Sequence, residues 1–107
     1  MVKITRDTVS LYPVDSLIDR SSTIAAGGVA QTLCPAVTPP AVRRALVIQN
    51  LSSGDLWINP FGTASAQQPS LKITSGAYYE FPSGMVPDGA VSIWGTTTAS
   101  GFTAWES

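Results

Sequence analysis

The sequence predicts an all-β fold, a small antiparallel β-sandwich or barrel of jelly-roll-like type with an extended N-terminal arm. Short strands are expected to start at about positions 43, 55, 70, 77, 90 and 102, close to the spacing of about 8 to 12 residues that is typical of sandwiches and barrels. Clusters of Gly, Pro, Ser and Asp separate these runs, and no stretch has helical periodicity. We therefore expect at most one helical turn.

The length of 107 residues and the composition favour one folded domain. We expect an arm over residues 1–20 and a single β domain over residues 21–107. Apolar residues make up 44% of the chain and charged residues only 12%, about half their usual share in soluble domains. A surface with so little charge suggests partial coverage by other protein.

The first twenty residues contain six of the thirteen charged residues, and their apolar positions follow no helical period. Pro13 interrupts any longer element, and Asp15 is expected to cap a single turn through Leu17 and Ile18. We interpret this segment as an arm that orders against its own domain or against a neighbouring copy. The alternative is a frayed terminus.

Residues 21–42 carry no charge. The Gly27-Gly28 pair permits a sharp turn, the run Val29–Cys34 is expected to form a strand, and Pro39-Pro40 stops regular structure. We expect this connection to pack against protein.

The clearest element lies between Arg43 and Asn59. Two apolar runs, residues 45–48 and 56–58, flank residues 52–55, which are Ser, Ser, Gly and Asp. These four residue types favour a tight reversal, so the segment predicts a β-hairpin. Later strands are expected over residues 70–73, 77–81, 90–94 and 102–106.

Alternation with a period of two divides each strand into two faces. One face supplies the predicted core: Leu46, Ile48, Leu56, Ile58, Leu71, Ile73, Tyr79, Phe81, Val91 and Ile93. Trp57, Trp94 and Trp105 fall on the opposite faces. Either the arm, the uncharged segment or a neighbouring subunit covers these tryptophans, or both faces belong to one sandwich core.

Catalytic and metal-binding patterns are missing from the sequence. The chain has no His, and its single Cys34 is interpreted as a small apolar filler in a strand. Asp55 and Asp88 fall in predicted turns, whereas Glu80 and Glu106 fall at solvent-facing or terminal strand positions. We predict no enzyme activity, no catalytic residues, no cofactor and no metal.

The charge pattern also argues against nucleic acid and membranes as partners. The net charge is -1, and Arg43-Arg44 is the only basic pair. No apolar run approaches the length of a membrane-spanning helix, and the first twenty residues do not resemble a signal peptide, which predicts synthesis in the cytoplasm. An alternative interpretation of the aromatics is a sugar-binding platform of Trp57, Trp94, Tyr78 and Tyr79, with Asp55 and Asn59 beside Trp57.

The segments LVIQNLSSGDLWINPFGTAS, SGAYYEFPSG, VPDGAVSIWGTTT and FTAWE resemble small β-structured virion proteins of tailed bacteriophages. The positions that carry this resemblance lie within residues 43–107: Asn50, Ser52, Trp57, Ile58, Asn59, Gly62, Gly76, Tyr79, Glu80, Ala90, Val91, Ser92, Ile93, Thr103, Ala104, Trp105 and Glu106. They form a pattern of strands and turns without a catalytic signature.

The resemblance implies a structural role in the virion, after synthesis in the host cytoplasm. We expect a protein that decorates or cements the capsid, forms a dimer or trimer, and contacts the major capsid protein or another virion protein. The expected interface residues are Trp57, Trp94 and Trp105 on the domain and Leu11 and Tyr12 on the arm. A receptor- or glycan-binding module of a head or tail fibre is the alternative.

Overall fold

The computed structural model describes residues 17–107 as two antiparallel β-sheets packed face to face, which confirms the predicted β-sandwich. These residues contain strands and turns but no helix. The strands are β1 (Ile18–Asp19), β2 (Ser22–Thr23), β3 (Gln31–Cys34), β4 (Leu46–Asn50), β5 (Leu56–Asn59), β6 (Leu71–Ile73), β7 (Tyr78–Glu80), β8 (Val91–Gly95) and β9 (Gly101–Glu106).

Sheet A has the order β1-β9-β4-β7, with β2 also paired to β9, and sheet B has the order β3-β8-β5-β6. Because β1 and β2 both pair with β9, they act as one interrupted edge strand. Each sheet therefore has four strand positions, eight in all. From β2 onward each strand lies in the opposite sheet from the strand before it, with one exception: β5 and β6 both lie in sheet B. This order is that of a jelly roll, in which two Greek keys wrap into two sheets.

The prediction of a β-hairpin between residues 43 and 59 is wrong. Strand β4 pairs with β7 and β9, whereas β5 pairs with β6 and β8, so the two runs lie in different sheets. The residues between them do reverse the chain, but around the buried side chain of Asn50. Its Nδ2 donates to the carbonyls of Gly54 (2.7 Å) and Ile73 (2.8 Å), and its Oδ1 accepts from the amide of Ser52 (2.8 Å). The connection is therefore an arch across the core.

The core lies between the sheets and contains most of the residues that alternation predicts. Confirmed as buried are Leu46, Ile48, Leu56, Ile58, Ile73, Phe81, Val91 and Ile93, and they are joined by Ile24, Leu33, Cys34, Phe102 and Ala104. Each large apolar side chain contributes about 1.5 to 3 kcal/mol on burial. The prediction was wrong for Leu71, which is 40% exposed on the edge strand β6. Tyr79 is half-buried and meets Phe81 edge to face at 5.0 Å.

The structure describes only part of the segment for which an N-terminal arm is expected, namely residues 17–20 of residues 1–20. Leu11, Tyr12, Pro13 and Asp15 lie outside them. Ile18, expected in a helical turn, lies instead in β1, where its Cα partner is Glu106. The expected strand over Val29–Cys34 starts at Gln31 in the structure, and no strand occurs between Cys34 and Leu46.

Candidate functional site

The outer face of sheet A forms a groove of about 460 Å³. The sheet turns one face to the core, so alternate residues of β9, β4 and β7 point away from it. Residues from these strands and from the chain just before β1 and β4 line the groove: Leu17, Ala45, Val47, Gln49, Tyr78, Glu80, Thr103 and Trp105. We call this surface the sheet A groove.

Aromatic side chains flank the centre of the sheet A groove. Val47 lies between Trp105 of β9 and Glu80 of β7 in the strand register. In the neighbouring row, Gln49 lies between Thr103 and Tyr78. Trp105 is 50% exposed and Tyr78 is 67% exposed. Large aromatic surfaces of this kind are enriched in protein interfaces.

Two carboxylates lie on this face of sheet A in the described part of the chain. Glu80 lines the groove, and Asp19 is the β1 partner of Trp105. Hydrogen bonds from the side chain and the backbone amide of Ser21 hold the pKa of Asp19 below its usual value of 3.8. Among residues 17–107, no Lys or Arg lines the groove. The sheet A groove therefore combines apolar and aromatic surface with negative charge.

The outer face of sheet B carries the other two tryptophans. Trp57 and Trp94 are direct cross-strand partners, and Lys72 is the partner of Trp57 on the other side. The Nζ of Lys72 lies 5.8 Å from the centroid of the Trp57 ring, within the range of a cation–π contact. Both indoles are half-buried. We call Trp57 and Trp94 the sheet B tryptophan pair.

The structure thus separates the predicted interface residues into two surfaces. Trp57 and Trp94 lie together on sheet B, and Trp105 lies on sheet A. All three point away from the core, so the interpretation in which both strand faces share one core is wrong. Leu11 and Tyr12 lie outside the described residues.

The predicted sugar platform is not assembled. Tyr78 lies on the outer face of sheet A, and Tyr79 packs against the core. Asn59 is buried, and its Oδ1 accepts hydrogen bonds from the amides of Phe61 (2.7 Å) and Gly62 (3.1 Å). Its side chain therefore holds the loop after β5. Of the four aromatic residues in the predicted platform, Trp57 and Trp94 lie side by side.

Glu106 was predicted at a solvent-facing or terminal position, but only 4% of it is exposed. The alternation of β9 turns Glu106 to the same side as Phe102 and Ala104, where two arginines meet it. Its Oε1 lies 2.8 Å from the Nε of Arg43, and its Oε2 accepts from the Nε of Arg20. Burial favours the neutral acid, but these bonds outweigh it and hold the pKa of Glu106 below its usual value of 4.5.

Arg43 is fully engaged by protein. Besides Glu106, its guanidinium donates to the carbonyls of Pro35 (2.6 Å), Gly89 (2.9 Å) and Pro87. Its side chain has no exposed surface. The cluster of Arg43, Glu106 and Arg20 is therefore structural: it joins the end of β9 to the loops that lead out of β3 and into β8.

The single cysteine, Cys34, is buried at the end of β3. Burial raises the pKa of the Cys34 thiol, so it is kept in the less nucleophilic protonated form. Among residues 17–107, no three His, Cys, Asp or Glu side chains come together as metal ligands.

The loops beside strands β6 and β7 form an apolar edge that the sequence did not predict. Phe61 is 83% exposed and Met85 is 70% exposed. With Leu71 they line a depression of about 250 Å³ that also contains several prolines. The prolines at the ends of these loops are visible in the sequence, but their convergence depends on the jelly-roll order.

In the part of the chain that the structure describes, no helix has the length and apolar character needed to cross a bilayer. Comparison with protein-family models, curated proteins and solved structures gives no match for this chain.

Proposed function

We propose that this protein is a structural component of a bacteriophage particle that decorates or cements the capsid through protein–protein contacts, including contacts with other copies of itself. The observation that carries the proposal is the presence of tryptophans on the outer faces of both sheets. A free monomer of this fold normally places polar side chains there. Trp105 is half exposed and the sheet B tryptophan pair is half-buried.

Two outer faces suit a cementing role because one small domain can then contact two neighbours at once. Trp and Tyr supply much of the binding energy in protein interfaces, since they bury a large rigid surface with little loss of side-chain freedom. The low charged fraction of 12% favours contact with protein in the same way. The resemblance to small phage virion proteins supplies the partner, which is the major capsid protein or another protein of the virion.

The test is co-sedimentation of the purified chain with capsids that lack it. We expect saturable binding to the capsid. Trp57→Ala combined with Trp94→Ala, or Trp105→Ala alone, is expected to weaken binding by about 30-fold or more, the effect of removing one interface hot spot. Leu51→Ala is the matched control, because Leu51 is 60% exposed but lies in the turn after β4 and outside both surfaces.

Failure of the unmodified chain to bind any capsid would overturn the proposal. Equal binding by the tryptophan variants and by the Leu51 variant would overturn the assignment to these two surfaces. Thermal unfolding of each variant establishes that the fold is kept.

A second candidate function is recognition of a host glycan by a fibre component. The observation that favours it is the sheet B tryptophan pair, because adjacent indoles offer a flat surface on which pyranose rings stack. Glycan-array binding that disappears in Trp57→Ala, with the fold intact and capsid binding unchanged, would favour this function over the first.

A further inference from the structure

One row of side chains crosses the outer face of sheet A from edge to edge. In the strand register, Trp105 pairs with Asp19 on one side and with Val47 on the other. Val47 pairs in turn with Glu80. The row, which we call the sheet A row, therefore places an indole and a half-buried valine between two exposed carboxylates. Its part from Trp105 to Glu80 lines the sheet A groove.

A second row crosses the outer face of sheet B. Trp57 pairs with Trp94 on one side and with Lys72 on the other. Lys72 is exposed and is the only lysine among residues 17–107. Its Nζ lies 5.8 Å from the centroid of the Trp57 ring, so the positive charge stays beside the indoles. This sheet B row therefore presents aromatic surface that ends in a cation.

The two rows complement each other in spacing and in charge. Neighbouring strands lie about 4.8 Å apart in both sheets, so side chains of one row can face those of the other one for one. With Trp57 over Val47, Lys72 lies opposite Glu80, and the other indole of the sheet B tryptophan pair meets Trp105. Turning one row end for end would leave Glu80 opposite an indole, without a cation.

The charges also favour contact between unlike faces over contact between like faces. Two sheet A faces would bring carboxylates toward carboxylates, because the sheet A row ends in Asp19 and Glu80. Two sheet B faces would give neither copy of Lys72 a carboxylate. Only the unlike pair opposes a cation to an anion, which is the arrangement that selects one interface over its alternatives.

From this complementarity we infer that the outer face of sheet A binds the outer face of sheet B of a second copy of this chain, with Lys72 opposite Glu80. The outer faces of a sandwich point in opposite directions, so each copy has one such neighbour on either side. The contact is therefore heterologous and extends into a row of copies instead of closing as a dimer.

The inference deepens the proposed function, and rests on it in assigning the self-contact to assembly of a particle. Its test uses the purified chain without capsids. A chain that binds capsids but stays monomeric in solution would leave the proposed function standing and overturn this inference. A chain that associates but binds no capsid would do the reverse.

The experiment exchanges the two charges in the full-length chain. The sheet A variant carries Glu80→Lys, the sheet B variant carries Lys72→Glu, and the exchanged variant carries both changes. Sedimentation velocity at low ionic strength follows association as the concentration rises. We expect dimers and then larger species of the unmodified chain, and association about tenfold weaker in each single variant, because an attraction becomes a repulsion.

Opposite charges are expected to restore association in two ways. The exchanged variant should associate as the unmodified chain does. An equimolar mixture of the two single variants should do so as well, because each outer face then finds an opposite charge on the other variant. Asp55→Lys is the matched control: it changes the net charge as much as Glu80→Lys does, and Asp55 is exposed in the β4–β5 arch, outside both rows.

Four outcomes would overturn the inference. The first is an unmodified chain that stays monomeric at every concentration tested. The second is association that stops at a dimer and weakens in only one of the single variants, since this pattern belongs to contact between like faces. The third is an exchanged variant that stays as weak as the single variants. The fourth is recovery of the sheet B variant by Asp19→Lys in place of Glu80→Lys, which would pair Lys72 with the other end of the sheet A row. Equal unfolding temperatures of all variants establish that the fold is kept.

Discussion

The Nε of Arg43 lies 2.8 Å from Oε1 of Glu106, and each side chain is at least 95% shielded from solvent. Glu106 is the last residue of β9 in sheet A, whereas the other partners of the Arg43 guanidinium lie in loops that adjoin β3 and β8 of sheet B. The pair therefore closes one end of the sandwich. A buried pair with its remaining donors satisfied holds its surroundings in one arrangement, and removal of Glu106 leaves the buried Arg43 charge without a carboxylate partner.

Glu106→Gln is expected to lower the free energy of unfolding by about 3 to 5 kcal/mol, because it leaves the buried Arg43 charge without its counterion. Urea unfolding followed by tryptophan fluorescence measures the change. Glu80→Gln is the matched control, since Glu80 is exposed on the outer face of the same sheet, and a change within about 0.5 kcal/mol is expected there. Equal losses in the two variants would contradict a structural role for the buried pair.

The pH dependence of stability follows from the same carboxylate. Burial alone would raise the pKa of Glu106, but the hydrogen bonds from Arg43 and Arg20 lower it below 4.5 in the folded chain. The unfolded state therefore takes up the proton first as the pH falls, so this contribution to stability is complete above about pH 4.5 and is lost below it. Unfolding measured between neutral and acid pH should show this loss.

The acid loss should be smaller in Glu106→Gln, which has no proton to take up at that position. Asp19 is exposed, and its pKa is also lowered, from 3.8, so its contribution is lost at a lower pH than that of Glu106. Asp19→Asn therefore serves as the comparison, and an unchanged acid profile in Glu106→Gln would show that the pair does not govern the response.

Asn50→Ala is expected to destabilise the fold by at least about 2 kcal/mol. The Asn50 side chain is buried and bonds the carbonyls of Gly54 and Ile73 and the amide of Ser52. Groups left without partners cost about 1 to 3 kcal/mol each when they are buried. Gln49→Ala is the control, because the neighbouring Gln49 is exposed and makes one long bond of 3.4 Å to Gly76. A loss no larger than in the control would contradict the role of Asn50 in the arch.

The alternation of apolar residues was sufficient to predict eight of the core residues and to place the three tryptophans on the opposite strand faces, but it left open whether those faces lie outside the core. It depends only on the pleat of each strand, which is a local property. The pairing of strands was not predictable in this way. An arch and a hairpin place the same residues on the core side of β4 and β5, and only the partners β7, β8 and β9, distant in sequence, separate the two.

The same limit applies to the candidate surfaces and to the ionic cluster. Trp105 and Tyr78 share a groove because β9 and β7 both flank β4, and 27 residues separate these two aromatics in the chain (105 − 78). The sequence predicts Glu106 at a solvent-facing or terminal strand position, and the structure places it at the end of β9 but buried. Its burial requires Arg43, 63 residues away, and local patterns carry no information about such a partner. The period of two in β9 does place Glu106 on the core side with Ala104 and Phe102, and this alternation is the one signal in the sequence that indicates a buried Glu106.

Gly27 is predicted to be the least replaceable glycine of the described chain, because a side chain there would strike backbone. A Cβ at this position would lie 2.2 Å from the carbonyl oxygen of Thr96 and 2.9 Å from the amide nitrogen of Thr98, and backbone cannot move aside as a flexible side chain can. The Gly27 amide also donates to the Thr98 hydroxyl at 2.9 Å, which joins the β2–β3 connection to the β8–β9 loop. Gly27→Ala must therefore separate these two loops.

The expected loss in Gly27→Ala is about 1 to 3 kcal/mol, the usual cost of overpacking, measured by urea unfolding. Gly54→Ala is the control, since a Cβ there meets nothing within 4 Å and the backbone has no positive φ. That variant should be neutral or slightly more stable, because alanine restricts the unfolded chain more than glycine does. A neutral Gly27→Ala would contradict this prediction, because it would mean that the β8–β9 loop can move away from Gly27 at no cost. Such a movement is opposed by the backbone bonds of Ile24 with Ser100 (2.9 Å) and Ala99 (2.7 Å), which hold the same two segments together.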